Sequence, residues 1–186
     1  MLKPWKILSS TPVIEDQYIR LRTDRCERSD GHIIPTYHVI DFPAWTLVIP
    51  ITDAGNIVLV KEYRHPAGVM VTGLPGGGGE PGETDSTEIA LRELREETGY
   101  VPRELHHIGQ CYPNPATQTN QLNVYLALGC TPTARQALDA NEQIEIVEMP
   151  LADYLEYEQM EVQHSHHAAA LYYLSRFFAK NEDKRP

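Results

Sequence analysis

The chain has 186 residues and a formal net charge of −10 at pH 7, a length that suits one compact domain with a short accessory segment. Hydrophobic residues make up 41% of the chain and charged residues 23%, which is typical of a globular protein. This acidic balance excludes binding to long nucleic acids, which requires a concentrated basic surface, but it allows a small phosphorylated ligand held through divalent cations.

The N-terminus, residues 1–6, lacks the sustained apolar run of a secretory signal. No stretch of the chain is apolar enough to span a bilayer, so we expect a cytoplasmic protein that does not bind membranes. Cys26, Cys111 and Cys130 are odd in number and far apart, which fits neither a disulfide framework nor a zinc site. We expect these cysteines to be reduced, buried thiols.

The first forty residues indicate short strands at 17–23 and 32–41, with a turn at Asp30-Gly31. We predict that residues 42–44 form a short connection. It divides the chain into an N-terminal strand segment, residues 1–43, and a larger domain, residues 44–186. Two apolar strands, 45–51 and 56–63, flank a turn and predict a hairpin at the start of that domain.

Residues 74–83 are too rich in glycine and proline for regular structure, and a strong helix signal follows them. Asp85 with Glu88 three residues later forms a capping box, and Gly99 stands where a helix commonly ends. Further along, the pattern predicts three strands and two helices: 105–112, 121–128, 144–149, a short helix after Pro150, and a final helix over 165–180. Strand 121–128 alternates like a half-buried strand, and the mixture of strands and few helices indicates an α+β class.

Three acidic residues cluster on the first helix. Glu93 and Glu97 lie four residues apart and share a helix face, with Glu96 beside them. An acidic helix face is often only solvated surface, but the adjoining glycine-rich loop can bring backbone close to these carboxylates. Hard oxygen ligands suit Mg²⁺, which can polarise a phosphoryl oxygen and activate water. The cluster therefore favours a metal site for hydrolysis of a phosphoanhydride.

At these residues the sequence resembles the Nudix hydrolase family, whose signature is G-x5-E-x7-R-E-U-x-E-E-x-G-U, with U a bulky apolar residue. Gly77 and Glu83 match its first part, and residues 92–99 match its second part. There are departures: eight residues separate Glu83 from Arg92 where the pattern has seven, and the last position is Tyr100. The extra residue is best placed before the helix cap, where it leaves the metal face intact but puts the pairing of Glu83 with Arg92 in question.

The resemblance implies a Nudix-type α/β/α sandwich with a mixed sheet, preceded by a small N-terminal antiparallel sheet. It implies that Glu93 and Glu97 are the principal metal ligands for Mg²⁺, with Mn²⁺ as a substitute. Glu96 would be a further ligand or a catalytic acid beside them, and Gly76 would offer its backbone carbonyl. Arg92 would orient the acids without contacting substrate.

Within the family, the segments that flank the signature resemble those of the ADP-ribose and nucleotide-sugar pyrophosphatases. This resemblance implies a homodimer built through residues 1–43, and Arg64 as a ligand of the substrate phosphate, although a surface arginine is an equal alternative. It also implies a late glutamate as catalytic base, for which Glu142 is the first choice and Glu145 the second. The expected reaction is hydrolysis of a nucleoside-diphosphate sugar, with ADP-ribose as the first substrate.

Alternatives remain open at this point. The loop of residues 116–120 lacks the acidic residue expected in ADP-ribose enzymes, so GDP-mannose or another nucleoside-diphosphate derivative is a live alternative. A non-catalytic, nucleotide-sensing domain is a second hypothesis, which the retained carboxylates disfavour. The histidines of 164–167 predict a solvated helix end and no metal site.

Overall fold

A computed structural model describes residues 2–16, 19–160 and 164–185. The strands are β1 (Lys6–Glu15), β2 (Arg20–Glu27), β3 (Ile33–Asp41), β4 (Trp45–Ile51), β5 (Asn56–Arg64), β6 (Val69–Gly73), β7 (Tyr100–Val101), β8 (Glu104–Cys111), β9 (Leu122–Leu128), β10 (Thr131–Pro132) and β11 (Glu145–Pro150). The helices are α1 (Ser86–Thr98), α2 (Leu151–Met160) and α3 (Ser165–Phe178), and a 3₁₀ turn follows at Glu182–Lys184. Among the described residues, no helix combines the length and apolar character needed to cross a bilayer.

The first of two compact units contains residues 1–43 together with residues 112–121. Strands β1, β2 and β3 form an antiparallel sheet in that order. The segment 112–121 is attached through Ile40, whose backbone N–H donates to Thr117 at 2.8 Å and whose carbonyl accepts from Thr119 at 3.2 Å. Strand β1 forms an edge of this sheet, and nearly all of its side chains are exposed.

The second unit contains residues 44–111 and 122–186 and is built on a six-stranded mixed sheet. The order along the sheet is β11-β5-β4-β9-β8, with β6 also paired to β5. Strands β4 and β9 run parallel, and the other neighbours run antiparallel. Because β4 and β9 are central, their side chains are buried on both faces of the sheet.

Helices cover both faces of this sheet. On one face, Ala90 and Leu94 of α1 pack against Val48, Tyr125 and Ala127. On the other face, side chains of α2 and α3, including Tyr154, Ala170 and Leu174, pack in the larger core cluster. The second unit is therefore an α/β/α sandwich with a mixed sheet, and the small N-terminal antiparallel sheet is also present, which confirms the predicted fold class.

Some predicted elements are wrong in detail. The strand expected at 17–23 is found at Arg20–Glu27, and residues 17 and 18 lie outside the described residues. Strands β1 and β6 were not predicted, because β1 is polar and contains a proline and β6 is a short run beside the glycine-rich loop. Strand β9 is buried on both faces, not half-buried, because α1 covers the face that carries Tyr125.

Candidate active site

The glycine-rich loop after β6 runs beside the central strand β4. The N–H groups of Thr46 and Val48 donate to the carbonyls of Gly77 and Pro75 at 2.9 and 3.0 Å, and Gly79 donates to Ala44 at 3.1 Å. The loop thus satisfies backbone groups of β4 that a neighbouring strand would otherwise satisfy. These bonds hold the loop against strand β4, shortly before α1 begins in the chain.

Glycine is required at two positions of this loop. Gly76 has φ of +154°, and a Cβ there would lie 2.2 Å from the carbonyl oxygen of Thr46. At Gly77 a Cβ would lie 2.5 Å from a carboxylate oxygen of Glu93. Any side chain at either position would displace backbone or carboxylate, so the glycines bring the loop into direct contact with the acidic face of α1.

Helix α1 has the ends that the sequence predicts. The Asp85 carboxylate accepts the N–H of Thr87 at 2.8 Å, which caps the N-terminus. Gly99 has φ of +73° and donates its N–H to the Arg95 carbonyl at 2.8 Å, which ends the helix. Because both ends are fixed, the register of the acidic residues relative to the loop is also fixed.

Arg92 joins the loop to the helix, in the structural role that the resemblance implied. Its Nε and Nη2 donate to the two oxygens of Glu83 at 3.1 and 3.0 Å, and Nη2 also donates to the Gly78 carbonyl at 3.0 Å. Its Nη1 donates to Glu96 at 2.9 Å, and Glu93 lies 3.0 Å from Nη2. The pairing of Glu83 with Arg92 therefore forms despite the extra residue, and this guanidinium lowers the pKa of Glu83.

Glu93 and Glu97 are buried carboxyl groups, 9% and 6% exposed. Burial raises the pKa of Glu93 to about 7 and that of Glu97 to about 8. Glu97 accepts the N–H of Gly76 at 2.9 Å, and this bond offsets part of the rise. Two such groups favour a cation beside them, since a nearby positive charge would stabilise the ionised forms.

A divalent metal ion fits this donor set. The carboxylates of Glu93 and Glu97 are hard oxygen donors, Glu96 adjoins them through Arg92, and the backbone of Gly76 lies against Glu97. Within the part of the chain that the structure describes, no three His, Cys, Asp or Glu side chains already converge as ligands around one point. The donor set is thus present, but side-chain adjustment has to accompany ion binding.

The two glutamates considered as catalytic base lie in different places. The charge of Glu142 raises the pKa of both Glu93 and Glu97, so Glu142 is electrostatically coupled to the acidic face. Its carboxylate accepts the N–H of Asp139 at 3.0 Å within its own loop. Glu145 lies on β11, where its largely exposed carboxylate is 4.0 Å from Lys61. The charge of Glu142 thus acts on the acidic face, whereas Glu145 lies beside Lys61.

Glu62 was missed in the sequence analysis. It lies on the same face of β5 as the buried residues Val58 and Val60, and its carboxylate is 2.6 Å from the guanidinium of Arg64. Burial raises the pKa of Glu62, and its charge in turn raises that of Glu97. The available signal was a glutamate in register with inward-facing valines on an otherwise apolar strand.

A cleft of about 350 Å³ lies beside the glycine loop. It is lined by Arg64, by residues 76–78 of the loop, by Trp45 and by the histidines at the start of α3. The prediction of a solvated helix end is wrong for His167, which is 5% exposed and packs its ring against Gly73. His164 accepts the N–H of His166 at 3.2 Å and so caps α3.

Comparisons with known proteins agree with this geometry. A sequence profile described as the NUDIX domain matches residues 42–171, and one described as the nucleoside diphosphate sugar hydrolase N-terminal domain matches residues 5–40. The chain is 31% identical over 172 residues to an ADP-ribose pyrophosphatase of Bacillus subtilis strain 168, covering 91% of each protein. It is 29% identical over 153 residues to a methanol dehydrogenase activator of Bacillus methanolicus, covering 82% of each. A crystal structure of an ADP compounds hydrolase superposes with a TM-score of 0.83 over 97% of both chains, at 22% identity, which shows a shared fold.

Proposed function

Because the chain belongs to the Nudix hydrolase family, we propose that it cleaves the diphosphate bond of a nucleoside-diphosphate sugar, with ADP-ribose as the first candidate. The products are a nucleoside monophosphate and a sugar phosphate, and one water is consumed. The ADP-ribose pyrophosphatase of Bacillus subtilis, similar over nearly the whole chain, supports this choice of substrate class. GDP-mannose is the next candidate to be tested.

The observation that carries the proposal is the contact between the glycine loop and α1. Gly76 and Gly77 lie directly against Glu97 and Glu93, so two buried carboxylates adjoin the loop that lines the cleft. A cleft of this size is at the lower end of the range for small-molecule sites, roughly 300–1,000 Å³. A diphosphate that enters the cleft therefore meets the acidic face.

We assign the metal ligands to Glu93, Glu96 and Glu97 and to the carbonyl of Gly76, with Mg²⁺ as the physiological ion and Mn²⁺ as a substitute. When bound, a divalent ion polarises phosphoryl oxygens and lowers the pKa of water. Glu96 has a second task, since its bond to Arg92 holds the guanidinium that also pairs with Glu83. Loss of Glu96 would therefore disturb both the ligand set and the loop.

The remaining chemistry falls to Glu142 and Arg64. Glu142 accepts the proton of the attacking water; its loop position and the effect of its charge on the pKa values of Glu93 and Glu97 support this assignment. Arg64 binds a phosphate oxygen from the wall of the cleft, and a guanidinium offers the fork of donors that this task requires. Its ion pair with Glu62 at 2.6 Å orients that fork.

We also propose that residues 1–43 form a dimerisation segment, residues 44–186 form the hydrolase domain, and the protein is a cytoplasmic homodimer. Strand β1 supports the dimer, because this edge strand exposes Ile7 and Val13 at 56% and 55%, next to Trp5 at 47%, and so offers both apolar area and unpaired backbone. Light scattering coupled to gel filtration should give twice the mass of the chain. A monomer at micromolar concentration would contradict this assignment.

The test of function is a hydrolysis screen with Mg²⁺, with Mn²⁺ or with EDTA. The panel contains ADP-ribose, GDP-mannose, other nucleotide sugars, dinucleotides and nucleoside triphosphates, with products separated by chromatography. We expect metal-dependent formation of a monophosphate and a sugar phosphate from one nucleotide sugar. Saturable nucleotide binding without turnover across the panel would refute hydrolysis and favour a sensor.

A further inference from the structure

The cleft beside the glycine loop has a wall that the proposed mechanism does not use. Trp45, from the start of β4, meets His166, from the first turn of α3, with ring centroids 5.4 Å apart and an interplanar angle of 72°. His164 and His166 lie 4.3 Å apart, and all of these side chains line the cleft. The loop of residues 76–78, which contacts the acidic face, also lines this cleft.

We propose that this corner, formed by Trp45 and His166, receives the sugar phosphate half of the substrate, with His166 bound to a sugar hydroxyl. The assignment rests on the proposed function and deepens it, because it states which half of a nucleotide sugar occupies the cleft. The phosphate of that half lies towards Arg64 and the loop, and the sugar lies against the ring wall. His166 is thus a specificity-determining residue.

The shape of the corner favours a sugar over a nucleobase. A base binds best when it is sandwiched between two parallel ring faces. Here the second ring stands nearly perpendicular to the first, so no flat slot exists between them. A sugar has apolar C–H faces and a rim of hydroxyls, and it can pack against the indole of Trp45 while a hydroxyl meets the imidazole of His166.

The protonation state of His166 also favours a sugar hydroxyl as its partner. Burial lowers the pKa of this imidazole, and the neighbouring His167 and Arg64 lower it further. His166 is therefore neutral at pH 7, and a neutral imidazole offers one donor and one acceptor, which matches a hydroxyl. A phosphate would require a cation, and Arg64 supplies that charge on the same cleft.

The chain contains two tryptophans, so it carries its own reporter. In a Trp5→Phe background the tryptophan emission arises from Trp45 alone, and Trp5 does not line the cleft. The full-length protein is titrated in Mg²⁺ with ribose 5-phosphate, with mannose 1-phosphate and, separately, with AMP. The comparison variants are His166→Phe, which keeps a ring beside Trp45, and His166→Gln, which keeps hydrogen-bonding capacity.

The matched control is His107→Phe, since His107 is an exposed histidine on β8 whose ring contacts Tyr125. We expect a sugar phosphate to change the Trp45 emission, and His166→Phe to weaken that binding about tenfold, as loss of one hydrogen bond predicts. His166→Gln should recover part of the affinity, and His107→Phe should match the parent. In hydrolysis, KM for the nucleotide sugar should rise in His166→Phe with kcat little changed.

Other outcomes distinguish the assignment of the cleft from the proposed hydrolytic function. If no sugar phosphate perturbs Trp45, or if both His166 variants bind it as the parent does, the assignment of the cleft is overturned. Loss of AMP affinity instead would place the nucleotide half in the cleft and also overturn it. A protein that binds a sugar phosphate at Trp45 but hydrolyses no compound of the panel would refute the proposed function and leave this cleft assignment in place.

Discussion

The substitution Glu97→Gln separates the electrostatic role of a buried carboxylate from its structural role. An amide oxygen can still accept the N–H of Gly76, which Glu97 accepts at 2.9 Å, so the local geometry should survive. Burial raises the pKa of this group from 4.5 to about 8, so at pH 7 the metal-free protein already holds it mainly protonated. Glutamine resembles that neutral form and never ionises, so at neutral pH the variant should fold normally and be no less stable than the wild type.

The sign of the pH dependence follows from the direction of this shift. A carboxyl whose pKa is raised by folding contributes stability that is present below its unfolded value and is lost as the pH rises through about 8. At ~1.4 kcal/mol per pKa unit, ionising Glu97 without a cation costs up to about 5 kcal/mol. In EDTA at pH 9, Glu97→Gln should therefore melt about 10 °C above the metal-free wild type. At pH 5 the two melting temperatures should agree.

Catalytic turnover should fall in Glu97→Gln, although the melting temperature at pH 9 without metal should rise. Removing one charged ligand takes away several kcal/mol of charge stabilisation, so metal-dependent turnover should fall by about 10²–10³-fold. Mg²⁺ should raise the melting temperature of the wild type much more than that of the variant. Glu88→Gln, on the exposed side of the same helix, is the matched control and should retain turnover. Wild-type turnover in Glu97→Gln, or equal melting of both proteins at pH 9 in EDTA, would refute the reasoning.

Other predictions concern the acidic face of α1. Glu142→Gln should lower kcat by about 10²-fold, because a general base is lost. Calorimetry should show a Mg²⁺ affinity within a few-fold of the wild type. An unchanged kcat would exclude Glu142 as the base. Gly77→Ala should displace the carboxylate of Glu93, since a Cβ would lie 2.5 Å from it, and should weaken Mg²⁺ binding with folding retained by circular dichroism. Gly31→Ala, where nothing lies within 4 Å, is its control and should bind Mg²⁺ normally. Mg²⁺ affinity should rise between pH 6 and pH 9, because the ion must displace protons from Glu93 and Glu97, whose pKa values are about 7 and about 8; a flat profile in calorimetry would contradict those shifts.

Local signals in the sequence were sufficient for the loop and helix of the site. Asp85 and Gly99 fix the ends of α1, so the face shared by Glu93 and Glu97 follows from helix geometry alone. The pairing of Glu83 with Arg92 was less certain, because the loop between them has one residue more than the family pattern. A flexible loop absorbs an extra residue that a helix could not absorb without rotating its face.

What the sequence left unpredicted depends on contacts between distant segments. His167 looks polar and solvated in its own helix, but its ring packs against Gly73 of the distant strand β6 and the residue is buried. Strand β6 itself is short and adjoins the glycines, so its pairing with β5 was not apparent. The effect of the Glu142 charge on Glu93 and Glu97 likewise depends on the path of a long loop, which no local pattern specifies.

The tight fit of Gly76 and Gly77 has a consequence for how such an enzyme can diversify. With no space for a side chain at either position, the loop that adjoins the carboxylates admits almost no variation. The start of α3 also lines the cleft, and its residues can change without moving the acidic face. New substrate preferences should therefore arise by substitution on that helix, while the hydrolytic apparatus is inherited unaltered.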